Sequence, residues 1–285
     1  MADGTIERSH RCRWGLLVFV IFGVVLVVTL CNLSYISPHV APGIYPQPDT
    51  SFIGRRTQVR LPAEKAEVAV IFIGGFGDVV TANFRGVYEG MPILPIEGRQ
   101  LRACYAWDGA QGHLLRHDTE LLQQDIKAFL AINPGADLVF VGHSYGGSAV
   151  MDVMRHLQGA PYGNVLVVTL DPVSCRERSY PKQRSAGVSY WVNAYCSPYR
   201  SPMDLAARVG GPWRECEQAD VNLCFSGKAK DEQGQSYRHS RPQSLFADTH
   251  AAQGVSAQQL LFDACKRLGI GKIKHSDSSE NESKK

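Results

Sequence analysis

The chain has 285 residues, of which 44% are hydrophobic and 20% are charged, a balance typical of one globular domain with a substantial core. Its formal net charge of +3 is spread along the sequence without a basic helix or a stripe of Lys and Arg between aromatic residues. The composition therefore excludes the usual electrostatic signature of nucleic-acid binding, and we expect no nucleic-acid partner.

An uncharged apolar run at residues 15–33 predicts a transmembrane helix, because about 20 apolar residues span a bilayer. Arg8, Arg11 and Arg13 precede the run, and the next basic residue after it is Arg55. The positive-inside rule then places residues 1–14 in the cytoplasm. We expect a single-pass membrane protein whose folded domain lies on the periplasmic, extracellular or lumenal side.

A cleaved signal peptide is the alternative to this anchor, since it shares the basic start and the apolar run. The exit from the run, Thr29-Leu30-Cys31-Asn32, lacks the small residues of a cleavage site. We therefore prefer the uncleaved anchor. Residues 34–62 follow it with five prolines among Ser, Thr and Gly, a composition typical of a linker.

Residues 63–270 alternate short β-branched runs with helical stretches, which predicts an α/β domain with a mostly parallel central sheet and helices on both faces. The predicted strands are residues 67–73, 102–107, 137–141, 164–170, 188–195 and 220–225. The predicted helices are residues 118–133, 147–157 and 256–268, the last with Ser256 as N-cap and Gly269 as its stop. Residues 271–285 are polar, have no apolar period and are predicted to be disordered.

The strand predicted at 137–141 continues into the sequence GHSYG at residues 142–146 and then into a predicted helix. A G-x-S-x-G sequence between a strand and a helix is typical of a nucleophile elbow, a sharp turn that exposes the serine. Gly142 and Gly146 fit this turn, because side chains there would collide with their neighbours. Ser144 is therefore the candidate nucleophile, and His143 is predicted to be a packing or substrate-side residue that points elsewhere.

A serine nucleophile needs an imidazole base and a carboxylate that orients it, and after this type of elbow the acid precedes the histidine in the chain. Asp171 directly follows the strand predicted at 164–170 and is the preferred acid, with Asp204 as the alternative. His239 and His250 lie between the last predicted strand and the last predicted helix. We prefer His239 as the base and keep His250 as the alternative.

Acyl transfer also needs backbone N–H donors for the developing oxyanion. Tyr145 follows the nucleophile, and Phe76 lies in a glycine-rich loop after the first predicted strand, so these two residues are the candidate donors. The loop lacks the Gly-Lys-Ser/Thr ending of a phosphate loop, and His113 and His117 lack the glutamate of a zinc-protease motif. We expect no cofactor and no metal.

The elbow and the segment Leu170-Asp171-Pro172 after the next strand resemble the lipase- and esterase-like branch of the α/β-hydrolase superfamily. The resemblance extends over residues 67–268. It implies the α/β-hydrolase fold, a catalytic set of Ser144, Asp171 and His239, and oxyanion donors at Phe76 and Tyr145. The chain departs from the family at Gly74, where many members carry His.

We therefore expect a serine hydrolase that cleaves a carboxylic ester through an acyl-serine intermediate. The predicted anchor favours a lipid or other hydrophobic ester, and the membrane is an expected partner through residues 15–33. Two alternatives stay open: a non-catalytic membrane-anchored binding protein on the same fold, and an acyltransferase.

The cysteines of the exported part leave two interpretations open. In an oxidising compartment, Cys175, Cys196, Cys216 and Cys224 can pair as disulfides, although their spacing does not define which pairs form. Ordinary buried thiols are the alternative.

Overall fold

The computed structural model describes residues 59–75, 84–105, 119–174, 183–200 and 204–272. The predicted anchor at residues 15–33, most of the predicted linker, the tail from residue 273 and Phe76 lie outside these ranges. Within the described ranges, no helix combines the length and the hydropathy needed to cross a membrane.

The described strands form one six-stranded sheet in which every neighbouring pair is parallel. Its order is β2-β1-β3-β4-β5-β6, so the chain reverses direction across the sheet between β1 and β3. Ligand sites of open parallel sheets typically form at such a reversal, outside the carboxyl ends of the strands. The strands are β1 (Val68–Ile73), β2 (Gln100–Tyr105), β3 (Asp137–His143), β4 (Val165–Leu170), β5 (Tyr190–Cys196) and β6 (Val221–Phe225).

Helices cover both faces of the sheet, because alternate strand residues point into two separate cores. Val70 and Phe72 of β1 pack with α1, α5 and α6, whereas Ile71 packs with α2 and α3. Each fully buried aliphatic side chain contributes about 1.5–3 kcal/mol. The helices are α1 (Arg85–Gly90), α2 (Glu120–Ile132), α3 (Tyr145–His156), α4 (Leu205–Val209), α5 (Pro242–Ala247) and α6 (Ala257–Leu268).

The predicted α/β class, with a parallel sheet between two helical layers, is confirmed, and the arrangement agrees with the α/β-hydrolase fold. The ends of these elements differ from the predicted ends by at most two residues. The strand predicted at 137–141 continues to His143, because Gly142 and His143 still pair with β4. The helix predicted at 147–157 begins two residues earlier, directly after Ser144.

The last helix has the predicted ends. The side chain of Ser256 accepts a hydrogen bond from the backbone N–H of Gln259, and Gly269 ends the helix with φ of 62°. Three short helices, α1, α4 and α5, were missed by the sequence analysis. Each has only five or six residues, too few for a helical period to stand out.

Residues 59–62, which the sequence analysis assigned to the linker, pack against the domain. Val59 forms an antiparallel bridge with Cys104, and Arg60 forms an ion pair with Asp125 at 2.5 Å. Leu61 is buried and donates its backbone N–H to the hydroxyl of Tyr105 at 2.9 Å. The packed part of the chain therefore begins before residue 63.

A row of polar side chains crosses β4, β5 and β6 on the face of the sheet that α2 and α3 cover. Thr169 donates to Asn193 at 3.0 Å, and Asn193 donates to Asn222 at 2.9 Å and to the carbonyl oxygen of Arg214 at 2.6 Å. Trp191 donates its indole N–H to Thr169 at 3.0 Å. Because each of these groups has a hydrogen-bond partner, the row offsets the cost of its own burial and holds the segment around residue 214 on the sheet.

Replacing Asn193 with Ala removes the centre of this row and leaves buried polar partners unsatisfied. We expect the free energy of unfolding to fall by about 2–4 kcal/mol. Urea unfolding followed by the fluorescence of the buried Trp191 and Trp213 measures the change. The exposed control Gln124→Ala should change the same free energy by less than about 0.5 kcal/mol.

Candidate active site

Ser144 occupies a sharp turn between β3 and α3. Its φ of 55° and ψ of −120° are unusual for a residue with a side chain, and the turn directly connects the strand to the helix. The Ser144 N–H donates to the carbonyl oxygen of Leu170 at 2.9 Å, and the Ser144 carbonyl accepts from the N–H of Val173 at 3.0 Å. Both the N–H and the carbonyl group of Ser144 are therefore held by residues at or just after the end of β4.

Glycines allow the backbone to pack tightly around this turn. A Cβ at Gly142 would lie 2.6 Å from the carbonyl oxygen of Gly146, and a Cβ at Gly146 would lie 2.0 Å from the carbonyl oxygen of Ile73. Both distances are impossible for a real side chain. The two glycines of the GHSYG sequence thus have the steric role that the sequence analysis gave them.

Asp171 lies directly after β4, beside the serine turn. It also has a positive φ, 46°, which aspartate tolerates better than most residues. Its N–H donates to the carbonyl oxygen of Ala194 at 2.6 Å, and its Oδ1 accepts from the N–H of Cys196 at 3.0 Å. The carboxylate is only 1% exposed, so it is held by β5 in a nearly dry environment.

His239 connects these two residues. Its Nδ1 lies 2.7 Å from Oδ2 of Asp171, and its Nε2 lies 2.9 Å from Oγ of Ser144. Because a carboxylate only accepts hydrogen bonds, Nδ1 carries the ring proton and donates to Asp171, so Nε2 accepts a hydrogen bond from the Ser144 hydroxyl. The structure thus brings Ser144, His239 and Asp171 into one hydrogen-bonded chain.

The two alternatives from the sequence occupy other positions. Asp204 is fully buried, but its Oδ1 accepts from the backbone N–H of His239 at 3.1 Å, while the imidazole ring bonds to Asp171. His250 directs Nε2 to the carbonyl oxygen of Cys224 at 2.9 Å and packs edge-on against Phe225. The ring contacts therefore favour Asp171 and His239 for the acid and base positions.

Of the two expected oxyanion donors, Tyr145 is described and Phe76 is not. Tyr145 is the first residue of α3, and backbone N–H groups in the first turn point out of a helix N-terminus, where the dipole favours negative charge. Gly75, two residues after β1, lies against the serine, since a Cβ there would be 2.5 Å from Cβ of Ser144. The glycine segment after β1 thus borders Ser144.

Tyr199 lies beside both His239 and Asp171. Its ring lies edge-on to the His239 ring at a centroid distance of 6.3 Å. Burial and the neighbouring Asp171 carboxylate raise the pKa of the Tyr199 hydroxyl well above its usual value. Burial likewise raises the pKa of the nearby Cys196 thiol. Both groups stay neutral beside the Asp171 carboxylate.

The buried ring of His143 packs beside the base. His143 follows Val139 and Val141 on the same face of β3, the face that packs toward α5, and its ring lies 4.8 Å from that of His239. Its Nε2 lies 2.9 Å from the backbone carbonyl oxygen of His239. The alternation of β3, had the strand been extended to residue 143, would have predicted this side.

The loop that carries His239 is folded around Asp231. The Oδ1 atom of Asp231 accepts from the backbone N–H groups of Gln233 and Gln235 at 3.0 and 2.7 Å. Its Oδ2 atom accepts from the Ser244 hydroxyl at 3.0 Å and forms an ion pair with Arg241. This buried carboxylate thus joins the loop to the start of α5.

Two of the four cysteines that could pair as disulfides, Cys196 and Cys224, are free thiols in the part of the chain that the structure describes. Cys216 is buried, and Cys175 lies outside the described ranges. In those ranges no group of three or more His, Cys, Asp or Glu side chains is arranged to hold a metal ion. His113 and His117 also lie outside them.

No protein-family model and no curated protein matches this chain. Among solved structures, it is similar to a type II thioesterase from a yersiniabactin biosynthetic pathway (14% identity, TM-score 0.38, covering 74% of this chain and 98% of that one). It is also similar to an esterase domain from Rhodothermus marinus (12%, 0.33, 70% and 87%) and to a poly(3-hydroxybutyrate) depolymerase from Bordetella parapertussis (14%, 0.30, 80% and 78%). At such low identities and TM-scores, these likenesses carry no conclusion for this chain.

Gly75→Ala tests the close approach of the segment after β1 to the serine. The added methyl group would overlap Cβ of Ser144, so the serine or the backbone at Gly75 must move. We expect the rate of reaction with a fluorophosphonate, a probe for nucleophilic serines, to fall by about 100-fold. Gly90→Ala is the matched control, since a Cβ there meets no atom within 4 Å. Equal rates in the two variants would contradict the described contact.

Asp231 makes the His239 loop sensitive to acid. Burial raises the pKa of Asp231, but hydrogen bonds from Gln235 and Ser244 and the charge of Arg241 outweigh it and lower the pKa below the usual value. A lowered folded-state pKa stabilises the protein above the unfolded-state pKa of about 4, and this stabilisation is lost as the pH falls further. Unfolding free energies measured from about pH 7 to pH 3 should converge for the wild type and Asp231→Asn. A constant difference across this range would contradict the assignment.

Proposed function

We propose that this protein is a serine hydrolase that cleaves carboxylic esters through an acyl-serine intermediate. One observation carries the proposal: the continuous hydrogen-bonded chain from Ser144 Oγ through His239 to the buried Asp171 carboxylate. A serine in a strained turn, within reach of an oriented imidazole, is the arrangement that activates a hydroxyl at neutral pH.

In the proposed reaction, Ser144 Oγ attacks the ester carbonyl while His239 Nε2 takes the hydroxyl proton. The Asp171 carboxylate keeps Nδ1 protonated and stabilises the imidazolium that forms. The N–H of Tyr145, with a second donor from the segment after Gly75, stabilises the oxyanion. His239 then returns the proton to the leaving alkoxide, and the same groups activate a water molecule that releases the acid.

We further propose that the substrate is a lipid or another hydrophobic ester. The support is the apolar run at residues 15–33, which would hold the enzyme on a membrane with its domain on the exported side. Tethering raises the local concentration of membrane-soluble substrates but does not define their chain length. The acyl chain therefore has to be read from a substrate series.

Fluorophosphonate labelling of the full-length chain in detergent tests the nucleophile. We expect labelling of the wild type at Ser144 and none in Ser144→Ala. Hydrolysis of p-nitrophenyl esters should fall by about 10⁴-fold or more in Ser144→Ala and in Asp171→Asn, which keeps the shape of the acid but not its charge. Ser189→Ala, an exposed serine next to the amino end of β5, is the control and should label as the wild type does.

The ester series separates the remaining interpretations. Higher kcat/KM for long acyl chains supports a lipid ester, and a preference for short chains would limit the proposal to an esterase. Acylation of an added alcohol in place of free acid release would indicate an acyltransferase. A folded wild type that neither labels nor hydrolyses any ester would leave the non-catalytic binding protein.

A further inference from the structure

His239 lies in the segment between β6 and α5, outside any helix or strand. The ring of His239 forms hydrogen bonds with Asp171 and Ser144. The position of the ring also depends on the position of the His239 backbone. Both peptide groups of His239 bond to buried side chains from distant parts of the chain. Asp204 Oδ1 accepts its N–H at 3.1 Å, and Nε2 of His143 lies 2.9 Å from its carbonyl oxygen.

The tautomer of His143 follows from this contact. A carbonyl oxygen only accepts, so Nε2 of His143 carries the proton and donates it to His239. On its other side, the His143 ring stacks on Phe84 at a centroid distance of 5.9 Å and an interplanar angle of 17°. Its Nδ1 lies 3.2 Å from the position a Cβ would take on Gly75. The donor atom therefore has little freedom to move.

The second partner of the His239 backbone, Asp204, is also buried. Asp204 directly precedes α4 and is fully buried, and an Asp carboxylate makes a stronger acceptor for a backbone N–H than a neutral group does. His143 directly precedes the nucleophile in the chain. Its hydrogen bond therefore connects the His239 backbone to the serine turn, in addition to the hydrogen bond between the His239 ring and Ser144. Asp204 approaches from another element altogether.

We propose that His143 and Asp204 are positioning residues that clamp the backbone of His239, so that its Nε2 stays in line with Ser144 Oγ throughout proton transfer. This inference rests on the proposed serine-hydrolase function. The physical reason is that a misplacement of about 1 Å in a catalytic group can reduce the rate about 100-fold. A base in an irregular segment needs such fixed contacts more than one on a strand does.

The clamp gives each residue a distinct substitution pattern. His143→Leu removes the donor, whereas His143→Gln keeps an N–H donor that can reach the same carbonyl. Asp204→Ala removes the acceptor, whereas Asp204→Asn keeps an oxygen acceptor and loses the charge. His156→Leu is the matched control, because His156 also bonds a backbone carbonyl, that of Asp152, but lies at the far end of α3.

Steady-state kinetics and amide hydrogen exchange on the full-length chain test the proposal. We expect His143→Leu and Asp204→Ala to lower kcat by about 10- to 100-fold with KM within about twofold. We expect kcat of His143→Gln and of Asp204→Asn to stay within about threefold of the wild-type value. Exchange at the His239 amide should speed up in Asp204→Ala but not in Asp204→Asn. The melting temperature of every variant is recorded beside that of His156→Leu.

Three results would overturn the clamp. Equal kcat in His143→Leu and His143→Gln would show that the His143 donor has no role. An Asp204→Asn variant as slow as Asp171→Asn would show that the charge of Asp204, and not its hydrogen bond to the backbone, acts on His239. Unaltered exchange at His239 in Asp204→Ala would show that the backbone is not held there. Exchange does not require turnover, so a wild type without esterase activity would refute the proposed function while the exchange pattern still decides the clamp.

Discussion

The register between β3 and β4 is the constraint on which the candidate site depends. His143 pairs with Leu170, so the residues that follow them, Ser144 and Asp171, leave neighbouring strands side by side. A slip of one residue would turn the side chains of one strand to the opposite face and bring its apolar residues out of their core. The packing of two cores therefore enforces the separation of nucleophile and acid.

Both residues also leave their strands with a positive φ. Such conformations cost on the order of 1–3 kcal/mol each and persist only where surrounding contacts determine them. The contacts here are backbone hydrogen bonds, from Val173 to the Ser144 carbonyl and from Asp171 to Ala194. The short segment from Asp171 to Val173, directly after β4, thus donates the backbone hydrogen bonds that stabilise both turns.

These features explain which parts of the molecule were predictable from the sequence. Strands and long helices follow from local hydrophobic period, and the GHSYG turn follows from the steric need for Gly142 and Gly146. The sequence preferred His239 as the base but could not exclude His250. Both histidines lie in one polar interval, and their surroundings are set by residues far away in the chain. The contact of His143 with His239 was not predicted, because β3 was ended two residues too early.

The nucleophile and acid are thus placed by sheet register, whereas the base is placed by polar contacts to an irregular segment. Asp231 folds that segment, and Tyr237 adds a hydrogen bond to Asp248 at 3.1 Å. Polar contacts of this kind can open locally with a smaller free energy than the opening of a buried strand. Acid or heat should therefore release His239 from Ser144 while β3 and β4 remain paired, so loss of the hydrogen-bonded chain should precede loss of the fold.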